Sequence, residues 1–123
     1  MTINHLYFGF ALSDSMFSND VRVLRMVLSP KEAKEVLDRA RKVGALVSCV
    51  NPSHVPTLSV ARERFGLEFS VPEVAPKVEL HAGDSLLVMT VQGLPRLNAG
   101  QHEYSPEQIE GARFTFALWS VIP

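Results

Sequence analysis

The chain has 123 residues, 46% of them hydrophobic and 20% charged, which is typical of one globular domain and excludes a disordered chain. The net charge of −1 and the isoelectric point near 6.4 argue against a general nucleic-acid coat protein, which needs a strongly basic face. They leave room for one short or cyclic phosphodiester, which a few well-placed groups can hold. Because Cys49 is the single cysteine, the chain can form neither an intrachain disulfide nor a Cys-rich metal site.

The first residues show no basic segment followed by an apolar one, so we expect no signal peptide. No apolar run approaches the roughly 18 residues that a membrane span needs. We therefore expect a cytoplasmic protein that forms one domain over residues 1–123.

The amino-terminal third predicts two strands and a helix. Alternation of bulky apolar residues over residues 6–12 predicts a strand, with Leu6, Phe8, Phe10 and Leu12 on one face. Residues 21–28 are rich in strand-forming types and predict a second strand. Ser29 is placed to cap a helix, in a capping box with a glutamate, and this helix is expected to stop near residue 44.

The rest of the chain continues the mixture of strands and helices. Residues 45–50 predict either a short strand or a buried loop, and a helix is expected to begin within residues 51–57 and to end at Gly66. Two prolines in residues 71–76 disfavour a central strand, and residues 77–80 are expected to pair only briefly. The apolar run 85–91 predicts a central strand, residues 105–111 a short helix, and residues 114–120 a long final strand. These elements predict an α/β fold of the mixed α+β type: about five strands in a mixed sheet with helices packed on it.

The four histidines do not share a metal-ligand spacing with one another or with Cys49, so no metal site is predicted. His5, His81 and His102 are interpreted as exposed side chains. His54 differs because it stands just ahead of a predicted helix, where unpaired backbone N–H groups and the helix dipole favour an anion. An imidazole there can donate a proton to a bound phosphate near neutral pH, although a simple capping role for His54 fits the same pattern.

Four short motifs follow one another along the chain and cover most of it. They are Tyr7, Ser13 and Met16; His54, Thr57 and Gly66; Leu80, Gly83, Asp84 and Leu86; and Arg96, Leu97 and Gly100. In this order and at these spacings they resemble the small ring nucleases of archaeal viruses, phages and bacteria. That family includes viral anti-CRISPR enzymes that degrade cyclic tetra-adenylate, the messenger of type III CRISPR systems.

The resemblance implies a homodimer that binds the two-fold symmetric ring across its interface and cleaves it without metal or cofactor. It implies that a ribose 2′-hydroxyl attacks the neighbouring phosphorus while His54 protonates the departing 5′-oxygen. Arg96 would stabilise the phosphate as a second catalytic residue, and Ser13 and Ser53 would contact the ring. Such geometry, with a proton donor and a cation, is what phosphodiester cleavage requires.

This chain departs from the family pattern at several positions. The usual asparagine of the first strand is Phe10, and the glutamate of the arginine motif is Ala99. Val74 and Ala75 replace an Asn-Arg pair, and residues 51–53 replace a single glycine before His54. Two alternatives to a ring nuclease therefore stay open. One is a non-catalytic protein that sequesters a cyclic nucleotide, and the other is a structural or regulatory homodimer in which His54 only stabilises a turn.

Overall fold

The computed structural model describes residues 4–17, 20–95, 97, 100 and 104–123. Within these residues the chain forms five strands and three helices. The strands are β1 (Leu6–Gly9), β2 (Val23–Leu28), β3 (Leu46–Ser48), β4 (Ser85–Gln92) and β5 (Arg113–Val121). The helices are α1 (Pro30–Lys42), α2 (Val55–Phe65) and α3 (Pro106–Glu110). Two short 3₁₀ turns, Asp14–Met16 and Pro52–His54, follow β1 and β3.

The strands form one mixed sheet in the order β2-β5-β4-β1-β3. Strand β1 is parallel to both of its neighbours, so that Tyr7 lies opposite Val47 of β3 and Leu86 of β4. Strand β5 runs antiparallel to β4 on one side and to β2 on the other. This confirms the predicted fold class, a five-stranded mixed sheet with helices. The segment 45–50, for which the sequence left a strand or a loop open, contains the edge strand β3.

The helix boundaries follow from the caps that the sequence contains. At the start of α1, the amide of Glu32 donates to the Ser29 hydroxyl at 3.1 Å, and the amide of Ser29 donates to the Glu32 carboxylate at 2.9 Å. Helix α2 ends at Gly66, whose φ of 71° lies in the left-handed region that glycine adopts at low cost. Each predicted helix is therefore present close to its expected position.

Each face of the sheet carries a hydrophobic core. Helices α1 and α2 cover one face, where Phe8, Met89 and Phe116 pack against Leu37 of α1 and Leu58 of α2. The other face forms a smaller core, whose buried members are Val78, Leu80, Leu86, Val88 and Val121. The segment that leads to β4 forms a single parallel bridge, between Phe17 and Leu80. This is the brief pairing that was expected for residues 77–80.

The predicted extent of the first strand was wrong at its end. Strand β1 stops at Gly9 and the backbone bends at Phe10, so the alternation of faces does not continue to Leu12. Phe10 packs against the same core as Leu6 and Phe8, with which it was predicted to share a face, whereas Leu12 packs against the opposite core. The bend turns the chain away from the sheet and over the end of β1.

No helix among the described residues is long and apolar enough to cross a membrane.

Candidate functional site

The two parallel strands β1 and β3 place His54 at one end of the sheet. The amide of Cys49 donates to the Phe8 carbonyl at 2.8 Å, which continues the β1–β3 ladder past the end of β3. The chain then forms the 3₁₀ turn Pro52–His54 and enters α2 at Val55. His54 therefore lies just ahead of a helix, as the sequence predicted, at the carboxyl ends of β1 and β3.

Asn51 organises the turn that carries His54. Its side-chain oxygen accepts a hydrogen bond from the Ser53 amide at 3.0 Å and a second one from the Ser53 hydroxyl. Its backbone carbonyl accepts from the His54 amide at 2.9 Å. This is the local capping chemistry of asparagine at the start of a helix or turn, and it fixes the backbone on which the imidazole stands.

The imidazole of His54 has two specific contacts. The backbone amide of Asn51 donates to Nδ1 at 3.3 Å, so Nδ1 carries a lone pair and the neutral ring has its proton on Nε2. The ring of Phe10 lies against the imidazole, with 4.2 Å between the ring centroids and an angle of 33° between the planes. Nε2 is thus the ring nitrogen that remains for a ligand.

Partial burial lowers the pKa of His54 below its ordinary value, because the charged imidazolium is poorly solvated at this position. The Asn51 amide acts in the same direction, since protonation of Nδ1 would set two N–H donors against each other. At neutral pH the resting side chain is therefore a neutral imidazole that can donate a hydrogen bond from Nε2. It is a stronger acid than an exposed histidine once it is protonated.

A cavity of about 370 Å³ opens beside the imidazole, a volume within the roughly 300–1,000 Å³ range of ligand pockets. Its lining is formed by Gly9, Phe10, Ala11, Met16, Cys49, His54, Pro76 and Val78. Most of these side chains are apolar, and burial raises the pKa of the Cys49 thiol and keeps it uncharged. Such a lining suits the body of an aromatic or apolar group, with a polar group next to His54.

The start of α2 adds an electrostatic preference for an anion. No acidic residue occupies the first turn of α2, and the His54 side chain makes no capping hydrogen bond to it. The first turn of α2 therefore has no carboxylate of its own to offset the positive end of the helix dipole. Among the described residues, no three histidine, cysteine, aspartate or glutamate side chains form a group that could hold a metal ion.

The other predicted site residues are placed less directly. Ser13 is exposed and its hydroxyl pairs with that of Ser15 at 3.0 Å, but the turn it begins carries Met16 into the cavity wall. Ser53 adjoins His54 and uses its hydroxyl within the Asn51 turn. Arg96 lies outside the described residues, as does Ala99 of the same motif. The ligand contacts of Ser13 and Ser53 and the catalytic role of Arg96 stay predictions.

The motif of Gly83 and Asp84 serves the fold at the opposite end of the sheet. Asp84 precedes β4 and its carboxylate accepts the amides of His5 and His81, each at 2.9 Å. Strand β4 runs parallel to β1, so its amino end is remote from the carboxyl ends where His54 stands. This part of the motif pattern therefore marks a structural turn.

Sequence reasoning missed most of the cavity wall. Phe10 was predicted to share a strand face with Leu6 and Phe8, and its contact with His54 was not foreseen, although its place directly after β1 puts it at the carboxyl edge of the parallel strands. Cys49 lies five positions before His54, whereas Pro76 and Val78 come from a segment that is distant in sequence. No local pattern in the sequence marks Pro76 and Val78 as neighbours of His54.

The fold is that of a small α+β domain built on a five-stranded mixed sheet. No protein-family model matches the sequence, and no curated protein matches it. Among solved structures, the chain resembles B116 of Sulfolobus turreted icosahedral virus with a TM-score of 0.73, covering 95% of this chain and 99% of the viral protein. The two sequences are 16% identical, so the likeness establishes a shared fold.

Proposed function

We propose that this protein is a metal-independent ring nuclease that binds and cleaves a cyclic oligoadenylate, with cyclic tetra-adenylate as the preferred ligand. The observation that carries the proposal is the position of His54, which lines an apolar cavity at the start of α2 and keeps Nε2 for a ligand. A nucleobase fits the apolar lining, and the helix start favours the adjoining phosphate.

In the proposed reaction, the ribose 2′-oxygen forms a new bond to phosphorus and the bond from phosphorus to the 5′-oxygen breaks. Protonated His54 gives its Nε2 proton to the departing 5′-oxygen, and water takes the proton of the 2′-hydroxyl. The products are a 2′,3′-cyclic phosphate and a 5′-hydroxyl end. A positioned general acid contributes about 10²–10⁴-fold to such a step. Arg96 would balance the charge that develops on the phosphate, and Ser13 and Ser53 would contact the ring.

We further propose that two copies bind one ring between them as a homodimer. The support is a set of three exposed valines on the segments that carry His54 or lead to Pro76, which we call the valine patch: Val55, Val71 and Val74, of which Val74 is 82% exposed. Val55 directly follows His54, and Val74 belongs to the segment that supplies Pro76 to the cavity. A two-fold contact through this patch would bring two His54 sites to one symmetric ligand.

The dimer is tested by placing a charge on the valine patch. Val74→Glu should shift the protein from dimer to monomer in sedimentation and weaken binding of the ring. Val27→Glu is the matched control, since Val27 is 67% exposed on the edge strand β2, across the sheet from β3. If Val27→Glu dissociates the dimer and Val74→Glu does not, the shared site is refuted.

The cleavage itself is tested with labelled cyclic tetra-adenylate in EDTA, for the protein and for its His54→Ala variant. We expect linear products with 2′,3′-cyclic phosphate ends, formed about 10²–10⁴-fold more slowly by the variant. Equal rates for both proteins would show that His54 is not the proton donor. Loss of cleavage in EDTA that returns with a divalent cation would contradict the metal-independent reaction.

A second candidate, a protein that sequesters the ring without cleaving it, is favoured by one specific observation. The lowered pKa of His54 leaves only a small protonated fraction at neutral pH, and a binding protein needs no proton donor. Tight binding with an intact ring, equally in the protein and in His54→Ala, would establish this alternative. In either form, removing the messenger would silence a type III CRISPR response. We further assign the protein to the cytoplasm, which is the cytoplasm of the host cell if the protein comes from a virus.

A further inference from the structure

We propose that Phe10 is the positioning residue of His54: its ring and the Asn51 amide together hold the imidazole in one orientation, with Nδ1 against the backbone and Nε2 left for the ligand. This inference deepens the proposed function and rests on it for its catalytic consequence. The positioning itself can be measured without any ligand.

The two contacts of His54 restrain different motions. The hydrogen bond from the Asn51 amide to Nδ1 determines which edge of the imidazole faces the turn. The Phe10 ring, with its centroid 4.2 Å from that of the imidazole, closes one face of the ring and opposes rotation out of this plane. Without the aromatic wall, the single hydrogen bond of 3.3 Å would be the main restraint on the side chain.

The Phe10 ring can restrain the His54 imidazole because packing contacts hold the Phe10 ring itself in place. It directly follows β1, whose Phe8 is fully buried, and its ring makes an edge contact with Phe8 at 6.2 Å between centroids. It also packs against the helix-covered core. Packing against Phe8 and the core therefore fixes the Phe10 ring, and the fixed ring limits where the His54 imidazole can lie.

The same wall keeps water from one face of the imidazole. Burial is the cause of the lowered pKa of His54, and the Phe10 ring supplies part of that burial. Cys49 is the other titratable side chain among the described residues that line the cavity, and burial raises its pKa, so it brings no charge to the imidazole. The strand end, the Asp14–Met16 turn and the 76–78 segment present apolar side chains to the cavity, namely Phe10, Met16, Pro76 and Val78.

Phe10 offers the imidazole an apolar aromatic face and no hydrogen-bonding group. The consequence for the reaction is an acid that is protonated less readily than an exposed histidine. In the protonated form Nδ1 no longer accepts the Asn51 amide, so the Phe10 ring is then the contact that holds the imidazole. The optimum for cleavage should accordingly move to lower pH than an exposed histidine would give.

The test is a nuclear magnetic resonance titration of the histidine rings, with the His54 signal assigned by its absence in His54→Ala. In Phe10→Leu, which keeps an apolar side chain but removes the ring face, the pKa of His54 should rise toward its ordinary value. The Asn51 amide should exchange with solvent about two- to tenfold faster, the range expected for loss of one aromatic contact. Phe10→Tyr keeps the aromatic ring, so the pKa of His54 and the exchange rate of the Asn51 amide should both stay as in the parent protein.

The matched control is Phe69→Leu. Phe69 stacks on Phe8 at 4.1 Å between centroids and packs against the same core, but its described ring contact is with Phe8 and not with His54. The control should leave the His54 titration and the Asn51 amide unchanged. The proposal is overturned if Phe10→Leu behaves like the parent protein, or if Phe69→Leu changes both values as much as Phe10→Leu does.

Cleavage assays then separate this inference from the proposed function. If the protein cleaves the ring, Phe10→Leu should lower kcat at its optimum by about tenfold to a hundredfold and should move the pH at which kcat falls by half upward. If the parent protein cleaves nothing, the proposed function fails. The titration still decides whether Phe10 positions His54.

Discussion

The Asp84 carboxylate lies just before β4, and replacing Asp84 by asparagine removes its negative charge. The Asp84 side chain is only 5% exposed. One carboxylate oxygen accepts the His5 amide at 2.9 Å and the other accepts the His81 amide at 2.9 Å. The imidazoles of His5 and His81 stand near the same two oxygens, at 3.8 Å and 3.5 Å.

The magnitude follows from the two amide hydrogen bonds. A bond to an ionised acceptor contributes about 1.5–3 kcal/mol. Asparagine keeps one accepting oxygen but sets an NH₂ donor against the second amide, so one bond is lost and one partly buried amide donor stays unsatisfied. We therefore expect Asp84→Asn to lower the free energy of unfolding by about 2–4 kcal/mol.

The assay is urea unfolding followed by circular dichroism at neutral pH. The midpoint should fall while the slope of the transition stays the same, because the compactness of the two states does not change. Asp38→Asn is the control: Asp38 pairs with Lys34 and Arg41 on the exposed side of α1, and its loss should leave the midpoint nearly unchanged. If both variants shift the midpoint equally, buried hydrogen bonding at Asp84 does not stabilise this end of the sheet.

Two further outcomes concern other parts of the molecule. Gly93 has a φ of 82°, and a Cβ there would overlap the Gly111 carbonyl oxygen, so Gly93→Ala should lower the free energy of unfolding by about 1–3 kcal/mol. Gly44→Ala is the control, because Gly44 has a similar φ of 74° but a Cβ there meets no atom of the described residues within 4 Å, and it should cost less. Equal losses in urea unfolding would contradict the steric argument. The pKa of His54 is lower in the folded protein than in the unfolded chain, so the unfolded chain binds this proton more readily. The free energy of unfolding should therefore have its full value above about pH 6.5 and should decrease as the pH falls from there toward the lower folded pKa. His54→Gln should show less of this decline, and a larger decline in the variant would reverse the assigned sign.

Local chemistry made much of the fold predictable. The capping box of Ser29 and the terminating Gly66 define helix ends within a few residues, and the alternating or continuous apolar runs mark the strands. His54 was recognised because its turn and the helix after it are adjacent in sequence. The order of the strands was not predictable in the same way, because it depends on pairings between distant segments.

The parts that failed are those where long-range contact overrides a local pattern. The alternation through Leu12 predicted a longer strand, but the chain bends at Phe10 and Leu12 joins the opposite core. The contact between Phe10 and His54 spans 44 positions and arises only because β1 and β3 pair in parallel. The Asp84 carboxylate joins the His5 backbone to the turn before β4, a contact over 79 positions that no local pattern marks.

The most direct test of the account is the rate of cyclic tetra-adenylate cleavage under single-turnover conditions as a function of pH, in EDTA. If His54 is the general acid, the rate should level off below its lowered pKa and should fall about tenfold per pH unit above it. The His54→Ala variant should show a slow rate without that fall. A rate that does not change across this pH range, or a variant that follows the same profile as the parent protein, would contradict the assignment of His54 as the proton donor.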